Sequence, residues 1–139
     1  MELKEAVAKL KETNKLMHAY NHAMGVMYYD IETAAPKNAI GGFSETVAAL
    51  SEITYKLAVN EESCAVLDFL TEHADELDEI TRREVEEAQK GLKLLRNIPI
   101  EEYVEYQRIQ SEASAVWHEA KVKSDYAMFE PHLDRKSVV

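Results

Sequence analysis

The sequence predicts an all-α protein of about five to six helices, arranged as antiparallel helical hairpins or a bundle. Three observations predict it. Apolar residues recur at intervals of three and four along most of the chain, the spacing that lines side chains along one helical face. No stretch alternates apolar and polar residues over a useful strand length. Connections between the periodic stretches are short, which favours antiparallel neighbours. At 139 residues, 46% hydrophobic and 30% charged, the chain has the length and composition of one domain with a real core, residues 1–139.

The first helix is expected from Leu3 to Met27, where Leu3, Val7, Leu10, Met17, Tyr20, Met24 and Met27 form one stripe. Gly25 is expected at a close helix approach or a loosened last turn. The pattern stops at Tyr28, Pro36 forbids a simple continuation, and Gly41-Gly42 extends the irregular stretch, so Asp30 to Phe43 is expected as a loop. Irregular segments on rigid scaffolds are where function concentrates.

Ser44 is the expected N-cap of a second helix carrying Val47, Leu50, Ile53 and Leu57. Asn60 caps a third, with Cys64, Leu67 and Leu70 inward. After the acidic connection Asp75 to Asp78, a fourth helix places Ile80, Val85, Ala88, Leu92 and Leu95 on one face. Glu86 and Lys90 lie four apart in the favourable order. Asn97-Ile98-Pro99 ends it and starts a fifth, whose stripe is Tyr103, Tyr106, Gln110, Ala113, Trp117 and Ala120. Ser124-Asp125 caps a last element from Tyr126 to Leu133.

With 26 acidic and 16 basic side chains the net charge is −10, a field that repels phosphate backbones, so no nucleic-acid partner is expected. No apolar run approaches the roughly 20 residues of a membrane span, so no membrane partner is expected either. Cys64 is the single cysteine and can form neither an internal disulfide nor a multi-cysteine metal site. With no signal-peptide pattern in Met1-Glu2-Leu3-Lys4-Glu5, a reducing cytoplasm is the expected location.

Local chemistry supplies no active site. His18 and His22 are spaced for two metal ligands on one helical face, but a third ligand would have to come from Asp30 or Glu32 by a loop folding back. His118-Glu119-Ala120-Lys121-Val122 opens like the zinc-protease signature H-E-x-x-H, with Val122 in place of the second histidine. The serines lack elbow glycines, and Gly41-Gly42 lacks the lysine of a phosphate loop.

Two landmarks carry a family resemblance. Tyr29-Asp30-Ile31-Glu32-Thr33-Ala34-Ala35-Pro36 resembles the W-D-x-x-T-x-M-P segment near the start of the carboxypeptidase Taq family of thermostable zinc metallocarboxypeptidases, with Asp30, Thr33 and Pro36 matched in residue and spacing. Trp117-His118-Glu119-Ala120, followed by Asp125, Phe129 and Pro131, resembles that family's W-x-x-A and D-[FY]-x-x-F-x-P-x-L passage. The chain departs at Tyr29 and Ala35, where the family has tryptophan and methionine. It also departs at Phe43, Thr46 and Tyr55, where family members often show Arg, Gln and His.

The resemblance covers the family's N-terminal helical portion. It implies a wall of a groove that admits the C-terminal end of a peptide, with zinc required by a full-length enzyme and no cofactor in this chain. The sequence lacks H-E-x-x-H, so no catalytic residue is transferred, peptide substrate is reached only through a missing catalytic region, and the chain is expected to be inactive alone. Asp30 and Thr33 are expected to brace the turn through side-chain to backbone hydrogen bonds. The run Asp134-Arg135-Lys136-Ser137-Val138-Val139, cutting a helix barely begun, leads to the expectation of a truncated product. The alternative is a non-enzymatic helical module that self-associates as a homo-oligomer, such as a dimer, through Tyr103, Tyr106, Ala113 and Trp117.

Overall fold

The computed structural model describes residues 1–137 as six α-helices and two short 3-10 turns, with no strand among the described residues. The helices are α1 (Leu3–Thr33), α2 (Ile40–Val59), α3 (Glu61–Glu72), α4 (Glu79–Leu95), α5 (Ile100–Lys123) and α6 (Tyr126–Ser137). The 3-10 turns are Lys37–Ala39 and Ala74–Glu76. The all-α expectation holds. α6 runs past Leu133, and Val138 and Val139 of the terminal run lie outside the described residues.

The described chain divides into two compact units. The first comprises Met1–Asn21 and Ile53–Pro99, the second His22–Glu52 and Ile100–Val139. The first unit buries Ala6 and Leu10 of α1, Val66, Leu67 and Leu70 of α3, and Val85 and Leu92 of α4 as one cluster. Half-buried Cys64 packs against it, as a small apolar residue does. α3 and α4 pack on each other within this unit.

Caps set the register of both helices. The Asn60 side chain accepts from Ser63 N–H at 2.8 Å, the expected N-cap. Asp78 caps α4, which the sequence pattern did not reveal: its carboxylate accepts from Thr81 N–H at 3.0 Å and from the Thr81 hydroxyl at 2.6 Å. That pair of hydrogen bonds turns Thr81 inward, 2% exposed, and leaves Ile80 outward at 73% exposed. Ile80 is therefore not a core residue, contrary to the periodic reading. Lys90 pairs with Glu87 at 2.6 Å and Glu86 with Arg83 at 3.1 Å, so the anticipated Glu86–Lys90 pair gives way to two i,i+3 pairs.

The bonds from Thr81 hold the Asp78 carboxyl below the usual carboxylate range. A carboxyl whose pKa is depressed by folding adds stability above its unfolded value, near 4, and loses it as pH falls through the folded value. Asp78→Asn keeps a capping oxygen and removes the charge. Wild type is expected to be the more stable at pH 7, with the gap narrowing below about pH 4; urea midpoints at both pH values check this.

In the second unit α2 buries Phe43, Ser44, Val47, Ala48 and Ser51, while α5 buries Ile109, Ser111, Ala113 and Ala120. Ser44 is thus no cap. It lies in the second turn of α2, 1% exposed, and among the described residues its hydroxyl has no hydrogen-bond partner. Gly41 and Gly42 are helical rather than irregular. The cost of two glycines, roughly 1 kcal/mol each, is offset by the burial of Phe43 and Val47 that helical geometry allows.

α1 likewise continues six residues past Met27. Gly25 marks no close approach, since a methyl group there would meet no atom within 4 Å. α5 ends in a left-handed turn, Ser124 having φ 54°, with Ser124 N–H donating to Lys121 O and Asp125 N–H to Ala120 O. α6 packs on α5.

Candidate functional site

The second unit carries a concavity of about 330 Å³ walled by the C-terminal end of α1, the start of α2 and one face of α5. Helical spacing explains the walls. Tyr28, Ile31, Glu32 and Ala35 follow one another by three, one and three residues, and Ser111, Ser114, Ala115, His118 and Val122 form a matching stripe on α5. Ile40 and Phe43 close the floor, where Phe43 meets Tyr28 edge to face at 5.0 Å. Burial pushes the Tyr28 hydroxyl pKa upward.

Charge sits at the rim. Ser114 Oγ donates to Glu32 Oε1 at 3.4 Å, and His118 Nδ1 lies 4.0 Å from Glu32 Oε2. Both contacts are long and exposed, so they orient the side chains and add little stability. Glu119 is held ionised, its pKa lowered first by the 2.6 Å bond from Lys123 and further by the charges of Lys123 and Lys37. The arrangement offers an apolar floor with a mixed-charge mouth.

The landmark residues build two helix corners beside this concavity. At the first corner Thr33 Oγ1 donates to Tyr29 O at 2.6 Å, and the Asp30 carbonyl accepts from Ala34 N–H and Ala35 N–H, both at 2.9 Å. Thr33 braces the turn through its side chain as expected, whereas Asp30 does so through its backbone with its side chain exposed. Pro36 lines the concavity, and its carbonyl accepts from Ala39 N–H at 2.8 Å. Tyr29 points to solvent, 73% exposed.

At the second corner Asp125 lies between α5 and α6, half-buried Phe129 follows in α6, and Pro131 sits inside that helix. Trp117 is 46% exposed, with Lys121 Nζ 5.0 Å from its ring centre. Tyr103 and Tyr106 are half-buried and Ala113 fully buried. Of the divergent positions, Phe43 is core, Thr46 bonds back to Gly42 O at 2.7 Å, and Tyr55 donates to Ile98 O at 2.6 Å within the first unit.

His18 and His22 are both exposed on α1. Among the described residues no group of three or more His, Cys, Asp or Glu side chains converges to hold a metal ion. The donor set of a zinc centre does not fit these residues: Val122 stands where the second histidine would be, and Glu119 is committed to Lys123. Among the described residues no helix is long and apolar enough to cross a membrane.

What sequence reasoning missed was the meeting of Glu32 with Ser114 and His118, residues more than 80 positions apart. Glu32 and His118 each sit inside a landmark, and that was the available signal.

The family model for Carboxypeptidase Taq (M32) metallopeptidases matches residues 9–138. Carboxypeptidase 1 of Bacillus subtilis (strain 168) is 35% identical over 121 residues, covering 87% of this chain and 24% of that protein. Thermostable carboxypeptidase 1 of Pyrococcus furiosus is 29% identical over 131 residues, covering 94% of this chain and 26% of that protein. A crystal structure of BsuCP matches with a TM-score of 0.83 at 35% identity, covering 95% of this chain and 26% of that one. The chain therefore spans about a quarter of the length of the relatives it matches. Landmarks, helical fold and these matches agree, and the chain belongs to the carboxypeptidase Taq (M32) family of metallopeptidases.

Proposed function

We propose that this chain is the N-terminal helical wall of a metallocarboxypeptidase, shaping access of a peptide's C-terminal end to a groove while zinc and general base reside in the family's remaining three quarters. The observation that carries the reading is that the family match runs through residues 9–138 while the relatives align with 87% and 94% of this chain but only 24% and 26% of their own length. The absence of H-E-x-x-H from the sequence supports a wall without its own hydrolytic centre. Zinc is then a cofactor of the full-length enzyme, and peptide its substrate.

A graft tests this. This chain replaces the matching quarter of the Bacillus subtilis Carboxypeptidase 1, and the chimera is checked for helical signal and bound zinc. Metal-dependent release of C-terminal residues is expected. A folded, zinc-loaded chimera that takes up no peptide would overturn the groove-wall role.

A further inference from the structure

Gly91 lies inside α4, where glycine weakens a helix and is ordinarily kept for a positive φ or a close backbone approach. Neither reason holds. Among the described residues no glycine has positive φ, and a methyl group at Gly91 would meet no atom within 4 Å. Gly25, Gly41 and Gly42 also face open space, but they are exposed and that space is solvent. Gly91 is half-buried and lines a half-open cavity of about 460 Å³ in the first unit.

The cavity is walled mainly by Leu10, Met17, Leu57, Leu67, Leu92 and Leu95, drawn from four helices. Its volume is roughly three times that of a cavity known to hold benzene, room for a chain of about eight to twelve carbons. Polar groups gather at the rim, and most are already engaged. Lys9 is paired with Glu62 at 2.9 Å and Glu5 at 3.4 Å. The Asn60 side chain caps α3 and donates to the Lys56 and Leu57 carbonyls, and Ser63 Oγ donates to Leu57 O.

What remains at the rim is the exposed carboxylate of Glu12, which disfavours an anion, and the neutral side chains of Thr13 and Asn14. We propose that this cavity is a binding site for a neutral, chiefly apolar small molecule with at most one uncharged polar end, such as a medium-chain alcohol, and that Gly91 keeps it open. The proposal is independent of the peptidase reading.

The 139-residue chain is titrated with the neutral fluorophore N-phenyl-1-naphthylamine, then with 1-octanol or octanoate as competitor at pH 7. Saturable one-to-one binding is expected, with octanol displacing the probe and octanoate at least tenfold weaker. Gly91→Leu fills the cavity and weakens binding at least tenfold, whereas Gly91→Ala retains binding and raises the thermal midpoint. Should Gly91→Leu lose its helical signal, Ala58→Leu on another wall serves the same purpose. No saturable binding, octanoate equal to octanol, wild-type binding by a folded filling variant, or a sedimenting dimer that excludes the probe would each overturn the proposal.

Discussion

Leu70→Ala is expected to lower the unfolding free energy by about 2–5 kcal/mol. Leu70 is 0% exposed and sits among Ala6, Leu10, Val66, Leu67, Val85 and Leu92, the cluster that holds α1, α3 and α4 together in the first unit. Truncation removes the transfer free energy of the lost carbons and leaves a void that neighbours on three separate helices cannot all collapse to fill. Total stabilities of natural domains are about 5–15 kcal/mol, so one substitution consumes a large share. Urea denaturation followed by circular dichroism checks it. The midpoint should fall with the slope nearly unchanged.

Val47→Asp is the corresponding test of the second unit, with an expected loss of about 3–5 kcal/mol at pH 7. Val47 is 1% exposed on the buried face of α2, between Phe43 and Ser51 on successive turns. No basic side chain belongs to that buried set, so an introduced carboxylate would be desolvated without a partner. Burial raises the folded pKa of such a group above its unfolded value. Its penalty relative to wild type is therefore full above the folded pKa and fades as pH falls toward about 4. The gap in melting temperature between variant and wild type should be narrower at pH 4.5 than at pH 7, leaving the smaller cost of a buried neutral carboxyl.

The helices themselves were legible because their stability comes from one buried stripe each, and a stripe is written in the spacing of apolar residues. Asn60 was legible because a cap needs only a short polar side chain at a helix start. What was not legible depended on long-range packing. The sequence pattern of Tyr28 to Phe43 has a proline and two glycines and reads as a loop, yet burial of Phe43 and Ser44 against the second unit's core winds Gly41 and Gly42 into α2.

Ile80 was placed inward by hydrophobicity alone. The two bonds between Asp78 and Thr81 fix the phase of the first turn and put a threonine there instead. Trp117, a member of the α5 stripe, stays half in water with the Lys121 ammonium one turn on lying over its ring, an arrangement that spacing alone does not show.

The landmarks named the family and did not locate a site. At the first corner Thr33 Oγ1 bonds to Tyr29 O and two amides bond to Asp30 O, and at the second the Asp125 amide bonds back to Ala120 O, all of them local turn bonds. The rim of the concavity comes from the less specific Glu32, His118 and Glu119 that the landmarks carry along. Spacing within a landmark describes a local turn. The approach of Glu32 to Ser114 and His118 is a property of how α1 and α5 pack inside one unit.

The central claim, a family wall without its own hydrolytic centre, is tested most directly by assaying the purified 139-residue chain on a test peptide with zinc supplied, with and without a chelator, while measuring bound zinc. No chelator-sensitive release of C-terminal amino acids is expected, with zinc far below one ion per chain. Release abolished by the chelator, together with one tightly bound zinc per chain, would contradict it.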